Sequence, residues 1–362
     1  MSQNDSLNAW LRLTLVPGIG GERQRKLLAA FGLPEAIFAA SREALHAIVG
    51  KWADTLLDTD TAQAVDAAQA WADQAGQHIL TLADPNYPAS LLEIPDPPSL
   101  LYVRGNPALL HQPGLAIVGS RNATPAGVKT AENFARTLAE AGLSIVSGLA
   151  LGIDAAAHRG ALAAAGSTVA VIGTGPDRLY PARNRELALN IVEHGAIVSE
   201  FPLGTLALAH NFPRRNRIIA GLARGVLVVE AATESGSLIT ARLAGEQGRE
   251  VFAIPGSIHS PVARGCHQLI KQGAKLVETA ADVLEELGEF SSFLPMQPAL
   301  TKATEVSAEN PLLTLIGHDP CSLDELVERS GQAADQLLAE LLLLELSGQI
   351  ATLPGNRFQR LN

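Results

Sequence analysis

The middle of the chain alternates short apolar runs with segments in which apolar residues recur every three or four positions. The runs are rich in β-branched residues and lack polar alternation, as is typical of parallel strands covered on both faces. Because parallel strands joined through helices cross over with one hand, this segment is predicted to form a doubly wound, Rossmann-like α/β sheet. The predicted strands are 115–118, 144–147, 168–172, 196–199, 226–230, 250–254 and 275–277.

The segments on either side of this sheet have different patterns. Residues from about 7 to 77 show helical spacing, and a proline-rich joint at 84–98 follows, with a strand predicted at 100–103. Residues 311–362 hold three helical patterns and a closing strand–turn–strand, an order typical of a winged helix. We therefore divide the chain into a helical domain at 1–80, a Rossmann-like domain at 81–288, a linker at 289–310 and a winged-helix domain at 311–362.

The first of these domains contains a glycine-rich turn, Val16-Pro-Gly-Ile-Gly-Gly21. In helix-hairpin-helix modules, a Gly-Ile-Gly turn between two helices presents bare backbone amides to a phosphate. The same glycines also suit a tight turn between helices with no ligand. Both interpretations stay open at this point.

The formal net charge of −10 is concentrated in the C-terminal part of the chain. Residues 282–345 contain thirteen acidic side chains and two basic ones, so the remainder is close to neutral. The acidity therefore does not exclude a nucleic-acid partner for the central sheet. Two cysteines without a CxxC pair, no secretory leader and no apolar run of membrane-spanning length favour a cytoplasmic protein with no membrane partner.

An arginine-rich stretch, Asn211-Phe-Pro-Arg-Arg-Asn-Arg217, stands out against this background. It opens a window of fourteen residues, 211–224, that carries four arginines, and no Asp or Glu occurs between Glu200 and Glu230. Arginines bind phosphates, and an aromatic ring such as Phe212 stacks on bases without regard to sequence. The stretch therefore predicts an interface for single-stranded nucleic acid. The alternative is a solvated helix with incidental arginines.

Two polar turns fall where ligands of parallel sheets bind, beyond the carboxyl ends of strands. After the strand at 115–118, the sequence Gly-Ser-Arg-Asn-Ala-Thr puts Arg121 beside a predicted helix start with Thr124 as its N-cap. After the strand at 226–230, Ser235-Gly-Ser237 offers hydroxyls and amides at another helix start. The second turn suits a phosphate cradle and plain helix capping equally well.

Few of the remaining motifs support enzymatic chemistry. Asp154 and His158 lie four apart on one predicted helix, which suits an acid–base pair, but no nucleophile or third ligand accompanies them. A structural pair is therefore favoured. The glycine-rich turn at 173–178 departs from the dinucleotide-binding fingerprint because Arg178 stands at its last glycine, and the sequence has no Walker A loop. We predict no catalytic residue, no metal site and no cofactor.

Together, these motifs resemble those of the DprA/Smf family of DNA-processing proteins. The Gly-Ser-Arg loop is followed in the family's order by Ser-Gly-Leu-Ala-Leu-Gly-Ile-Asp at 147–154, Phe-Pro-Arg-Arg-Asn-Arg-Ile-Ile-Ala-Gly-Leu at 212–222 and Ser-Gly-Ser-Leu-Ile-Thr-Ala at 235–241. The resemblance covers nearly the whole chain. It implies an extended Rossmann-like domain between an N-terminal helical domain, SAM-like or helix-hairpin-helix, and a C-terminal winged helix.

The resemblance also implies a function. It implies a protein that is not an enzyme, that binds single-stranded DNA, and that dimerises and loads the RecA recombinase onto incoming strands during natural transformation. The family's DNA-binding site carries over to residues of the loops and the arginine stretch: Ser120, Arg121, Phe212, Arg214, Arg215, Asn216, Arg217, Ser235, Gly236 and Ser237. The implied homodimer would pair through the late part of the Rossmann-like domain, where the apolar candidates are Ile258, Leu269, Ile270 and Leu276.

Two expectations concern residues outside this site. The strongly apolar helix of the winged-helix domain carries Asp335, Glu340 and Glu345 and neither Lys nor Arg, so we predict a protein-contact module that does not read DNA. An alternative function uses the same kind of sheet as a nucleotide-binding sensor or a nucleotide hydrolase, for which Glu230 and Glu234 are the candidate groups.

Overall fold

The structure is a computed structural model that describes residues 3–164, 167–288, 310–317 and 320–361. All but Asn310 of the predicted linker lies outside the described residues. Nine strands form the central sheet: β1 (Gln77–Thr81), β2 (Leu100–Gly105), β3 (Gly114–Val118), β4 (Ser144–Ser147), β5 (Thr168–Val171), β6 (Ala196–Ser199), β7 (Gly225–Val228), β8 (Glu250–Ala253) and β9 (Lys275–Leu276).

The order of these strands confirms the doubly wound architecture. The order is β1-β2-β6-β5-β4-β3-β7-β8-β9, and all pairs from β6 to β9 are parallel. The chain first runs outward from β3 to β6 and then returns to the other side of β3 with β7. The strand order therefore reverses between β3 and β7, where open α/β sheets bind their ligands.

Two antiparallel strands extend one edge of this sheet. β2 pairs with β6, and β1 pairs with β2. The sequence patterns predict β2 but miss β1, whose first residue is the last of the predicted helical segment at about 7–77. The pairing of β1 joins the N-terminal helices directly to the sheet.

Helices cover both faces of the sheet, because alternate side chains of each strand point to opposite faces. One face packs against α11 (Asn211–Gly221), α12 (Gly236–Glu246) and α13 (Arg264–Lys271) through side chains such as Ile218 and Val226. The other face packs against α8 (Pro125–Glu140), α9 (Ile153–Ala163) and α14 (Ala280–Leu287) through side chains such as Phe134 and Ile117. The remaining elements of this part are α7 (Ala89–Leu92), α10 (Arg185–His194) and two short 3-10 helices at Pro107–His111 and Ala182–Asn184.

The N-terminal segment is helical, as its periodicity predicts. Its helices are α1 (Gln3–Leu15), α2 (Gly21–Phe31), α3 (Pro34–Ala39), α4 (Arg42–Val49), α5 (Trp52–Asp58) and α6 (Ala62–Ala72). Trp71 of α6 meets Tyr102 of β2 edge-to-face, with 5.4 Å between ring centroids. In the glycine-rich turn, Gly18 has a φ of +80°, and a Cβ there would lie 2.1 Å from the Trp52 ring, so both conformation and packing require glycine.

The C-terminal segment folds as the predicted winged helix. It contains α15 (Pro311–Ile316), β10 (Cys321–Ser322), α16 (Leu323–Ser330), α17 (Ala334–Leu346), β11 (Ile350–Leu353) and β12 (Arg357–Arg360), with sheet order β10-β12-β11. Ser322 and Glu325 cap the start of α16 reciprocally, so the backbone donors there are satisfied. A separate apolar core, including Leu337, Leu341 and Phe358, holds these elements together.

Candidate nucleic-acid interface

A cleft of about 680 Å³ opens at the carboxyl ends of β3 and β7. This is the point at which the strand order reverses. Eight of the ten residues predicted from sequence for the DNA-binding site line the cleft: Ser120, Arg121, Phe212, Arg215, Asn216, Ser235, Gly236 and Ser237. Segments that are separated by more than a hundred residues meet here because parallel strands end at one edge of the sheet.

The loop after β3 is held rigidly and leaves Arg121 exposed. The backbone N–H of Ser120 donates to the carbonyl of Glu230, at 2.7 Å, and the carbonyl of Ser120 accepts from Ile153 at 3.1 Å. Thr124 caps α8 as predicted, with its hydroxyl accepting from the N–H of Gly127 at 3.0 Å. The fixed loop therefore presents the Arg121 guanidinium to solvent at the mouth of the cleft.

Two aromatic rings and this arginine form one wall of the cleft. The Tyr180 and Phe212 centroids are 5.8 Å apart, and the Arg121 guanidinium lies 5.5 Å from the Phe212 centroid. Tyr180 is 51% exposed, so its ring is accessible to a ligand in the cleft. Tyr180 lines the cleft, although the sequence patterns do not predict it as a site residue. A Cβ on Gly173 would lie 3.0 Å from the Phe212 ring, so glycine makes room for it.

Arg215 forms part of the cleft floor, and it is far less accessible than its sequence context suggests. Only 4% of the residue is exposed, and its guanidinium donates to the carbonyls of Gly148 (2.6 Å) and Val171 and to the side chain of Asn216 (3.0 Å). Burial and the nearby Arg121 charge lower the pKa of Arg215 to about 10 against the opposing effect of Asp154, so it stays cationic at neutral pH. Arg215 supplies positive potential from a fixed position.

The serine-rich turn after β7 also lines the cleft. Ser235 is the N-cap of α12, and its hydroxyl accepts from the N–H of Ser237 at 3.3 Å. A Cβ on Gly236 would meet no atom within 4 Å, so the backbone there faces open space. Capping explains Ser235, while the open start of a helix offers positive potential to an anion.

Arg214 and Arg217 lie apart from the other predicted site residues. Neither lines the cleft. Arg217 has only 11% of its side chain exposed and pairs with Glu200 at 2.6 Å and Asp96 at 3.0 Å. Arg214 lies 3.8 Å from Glu200 and over the Phe201 ring. These two arginines point away from the cleft because successive positions of a helix face different directions.

Asp154 and His158 serve the structure through separate partners. Asp154 accepts backbone hydrogen bonds from Gly148, at 3.1 Å, and Ala150, at 3.4 Å. His158 lies fully buried, and its Nδ1 is 2.7 Å from the Thr168 hydroxyl. Because that hydroxyl donates to the Ile145 carbonyl, His158 is the donor in this bond. These contacts agree with a structural role for both residues, but the two side chains do not form the predicted pair.

His158 makes the stability of the fold depend on pH. Burial, with the Arg215 charge as a second cause, lowers its pKa to about 3 from an ordinary value of 6.5. Below pH 6.5 the imidazole of His158 binds a proton in the unfolded chain but not in the folded chain. We therefore expect this residue to lower the free energy of unfolding by about 1.4 kcal/mol for each pH unit until about pH 3. NMR titration of the ring should show a neutral imidazole at pH 5. A midpoint near 6.5 would contradict this assignment.

Of the two glutamates proposed for the hydrolase alternative, Glu230 already has hydrogen-bond partners within the protein. The Glu230 carboxylate accepts from the Thr124 N–H at 2.9 Å and from its hydroxyl at 2.6 Å, and burial raises the pKa of Glu230. Glu230 thus holds the loop after β3 in place through Thr124, whereas Glu234 lines the cleft. Among residues 3–164, 167–288, 310–317 and 320–361, no three His, Cys, Asp or Glu side chains are grouped so that they could hold a metal ion.

Family models match most of the chain. The model described as DNA recombination-mediator protein A matches residues 78–288, and the model of the DprA winged helix domain matches residues 296–356. The first match contains every residue of the cleft, and it begins at the first strand of the sheet. In the described parts of the chain, no helix is both long and apolar enough to cross a membrane.

Individual proteins that are similar to this chain carry the names of the same family. Protein Smf of Escherichia coli is 44% identical over 299 residues, which is 81% of this chain and 80% of that protein; Protein Smf of Synechocystis is 35% identical over 97% of this chain and 98% of that protein. The crystal structure of DprA from Streptococcus pneumoniae superimposes with a TM-score of 0.67 at 40% identity, over 77% of this chain and 97% of that one. A DprA structure from Helicobacter pylori, described for its single-stranded DNA binding mode, gives a TM-score of 0.53 at 31% identity over 58% of this chain and 95% of that one.

Proposed function

The chain belongs to the DprA/Smf family of DNA-processing proteins, and from this premise we propose that it binds single-stranded DNA in the cleft between β3 and β7. The observation that carries the proposal is the wall formed by Arg121, Phe212 and Tyr180. Exposed rings stack on bases of any sequence, and an adjacent guanidinium binds the phosphate between them. The relative from Helicobacter pylori is described as a single-stranded DNA binder, which supports the same assignment.

The three sides of the cleft have complementary roles in this proposal. Tyr180 and Phe212 stack on bases, and Arg121 contacts the backbone from the rim. Arg215 keeps the floor positive, while the open start of α12 at Gly236 accepts a phosphate. Ser120, Asn216 and the two serines of the turn fix these groups. Arg214 and Arg217 take no part, because they lie outside the cleft.

A nucleotide sensor or hydrolase is the competing function for the same cleft. Its volume suits one small nucleotide, and Glu234 lines it. However, an aromatic pair and an arginine at an open mouth can track a strand beyond a single base. We propose that the protein does not turn over nucleotides.

The two functions differ in how affinity depends on ligand length. We expect affinity for oligonucleotides to rise as the strand grows from one to several nucleotides, whereas a mononucleotide pocket gains nothing from added length. The titration should use oligo-dT of increasing length against dTMP, dTTP and duplex DNA of equal length. Tight dTTP binding with no gain from length, or hydrolysis that is lost in Glu234→Gln, would favour the competing function.

The winged-helix domain is expected to contribute little to strand binding. Its strongly apolar helix α17 carries Asp335, Glu340 and Glu345 without a basic side chain, and carboxylates repel phosphates. Deleting residues 311–362 should therefore leave the affinity for single-stranded DNA within a few-fold of the full chain. Fluorescence anisotropy of both proteins, each checked for folding by circular dichroism, measures this. A large loss in the folded truncation would assign DNA contacts to this domain.

In the cell, we propose that the bound strand is delivered to the RecA recombinase during DNA uptake and natural transformation. The family description as a recombination mediator supports this role. A homodimer would place two clefts on one particle, so that one strand could engage both and gain affinity through effective concentration.

The proposed dimer interface lies at the β9 edge of the sheet. Leu276 of β9 is exposed there, and an edge strand offers unpaired backbone groups. Ile258, in the segment after β8, is exposed as well. Leu269 and Ile270, predicted earlier as interface candidates, pack against the core, so charges there should unfold the chain. We expect dimers at micromolar concentration in light scattering, and monomers for Ile258→Glu with Leu276→Glu. A monomeric wild type would reject the dimer, and an unchanged dimer in the variant would reject this edge.

A further inference from the structure

The longest helix of the winged-helix domain has apolar side chains on two opposite faces. Leu337, Leu341 and Leu344 of α17 are buried in the core of this domain. Four other leucines of the same helix are between 44% and 76% exposed: Leu338, Leu342, Leu343 and Leu346. Soluble proteins seldom expose several large apolar side chains together unless the surface binds something.

The spacing of these leucines makes them one surface. Leu338, Leu342 and Leu346 follow one another at intervals of four residues, so they lie one turn above another on the helix. Leu343 widens the row on one side. We call these four residues the leucine face. Such a row matches the pattern of anchors with which an amphipathic helix packs against another.

The charges around the leucine face indicate what could cover it. Asp335, Glu340 and Glu345 lie on the same helix, which carries neither Lys nor Arg. The neighbouring Arg329 donates to the Leu315 carbonyl. A second copy of this chain would bring two acidic surfaces together. DNA would place its phosphates against these carboxylates. Both contacts are repulsive. A cationic partner is the complementary choice.

We propose that the leucine face is a docking site for an amphipathic helix of a partner protein, with apolar residues every three or four positions and Lys or Arg on its flanks. The apolar row of the partner would pack between Leu338, Leu342 and Leu346. Its cations would then face Asp335 and Glu345 at the rim, where they set the orientation and the on-rate. The winged helix would thereby tether a partner beside DNA that is bound in the cleft.

A synthetic peptide tests this docking site on the full-length protein. The peptide has about four helical turns, leucines at every third or fourth position and lysines on both flanks; a second peptide has the same composition in scrambled order. The protein variant is Leu342→Gln with Leu346→Gln, two positions that are already exposed, so the fold should persist. Leu189→Gln, at a leucine that is 48% exposed on α10, is the matched control.

We expect the patterned peptide to bind the wild type and the Leu189→Gln protein alike, and to lose at least about tenfold in affinity for the double variant. Added salt should weaken the binding, since the rim contacts are ionic. Equal binding of the scrambled peptide, or no binding by the full chain, would overturn the proposal. So would a wild-type oligomer that dissociates in the double variant, because the leucine face would then be covered by a second copy.

Discussion

Replacing Tyr180 and Phe212 together by alanine is expected to weaken binding of single-stranded DNA by about 10- to 100-fold. Stacking of a base on an aromatic side chain contributes about 1–3 kcal/mol by alanine substitution, and about 1.4 kcal/mol corresponds to a factor of ten. Both rings are partly exposed and lie outside the main cores of the sheet, so the fold should remain. The measurement is fluorescence anisotropy with a short oligo-dT at several salt concentrations.

The salt dependence separates the rings from the arginine. The aromatic double variant should lose affinity equally at all salt concentrations, since stacking releases no counterions. Arg121→Ala should instead reduce the slope of log affinity against log salt by about 0.7, the value for one lost phosphate contact on a single strand. Arg136→Ala, an exposed arginine on α8, is the control. If both the aromatic variant and Arg121→Ala bind like this control, the cleft is not the DNA-binding site.

The central sheet could be predicted because its signal is local. Each buried parallel strand is a short apolar run, and seven such runs were identified within about two residues of their observed ends. β1 was missed because Gln77-His-Ile-Leu-Thr81 begins with polar residues and follows α6 after a turn of only four residues. Its partner β2 lies more than twenty residues away, and antiparallel pairing at an edge leaves little trace in the pattern of one strand.

The candidate site could be predicted in outline for a related reason. Loops that follow parallel strands meet at one edge of the sheet, so Arg121 and Ser235 converge although they lie far apart in sequence. Tyr180 was missed because its turn has no periodicity that would indicate exposure. The burial of Arg217 could not be predicted because the sequence shows an acid-free window around it, whereas its partners come from Glu200 at the edge of that window and from Asp96 in a distant segment.

The buried position of Arg217 also leads to a prediction about stability. Arg217 and Glu200 are both nearly buried, with 11% and 7% of their side chains exposed, and their atoms approach to 2.6 Å. Glu200→Ala leaves the buried cation with only Asp96, so the free energy of unfolding should fall by about 3 kcal/mol, the lower end of the range for breaking a buried pair. Asp96 also pairs with Arg25, so Asp96→Asn weakens two ion pairs; because Asp96 is 42% exposed, water should limit the cost to about 1 kcal/mol.

A double variant distinguishes the cost of an unpaired charge from a general defect in packing. Glu200→Met with Arg217→Met removes both charges and keeps most of the volume, so urea denaturation should show that it recovers most of the stability lost in Glu200→Ala. For this double variant, the slope of log affinity for single-stranded DNA against log salt should equal that of the wild type, because Arg217 is turned away from the cleft. A slope lowered by about 0.7 would instead return Arg217 to the DNA-binding site. Equal instability of Glu200→Ala and the double variant would show that the two side chains matter through their packing and that their charges contribute little.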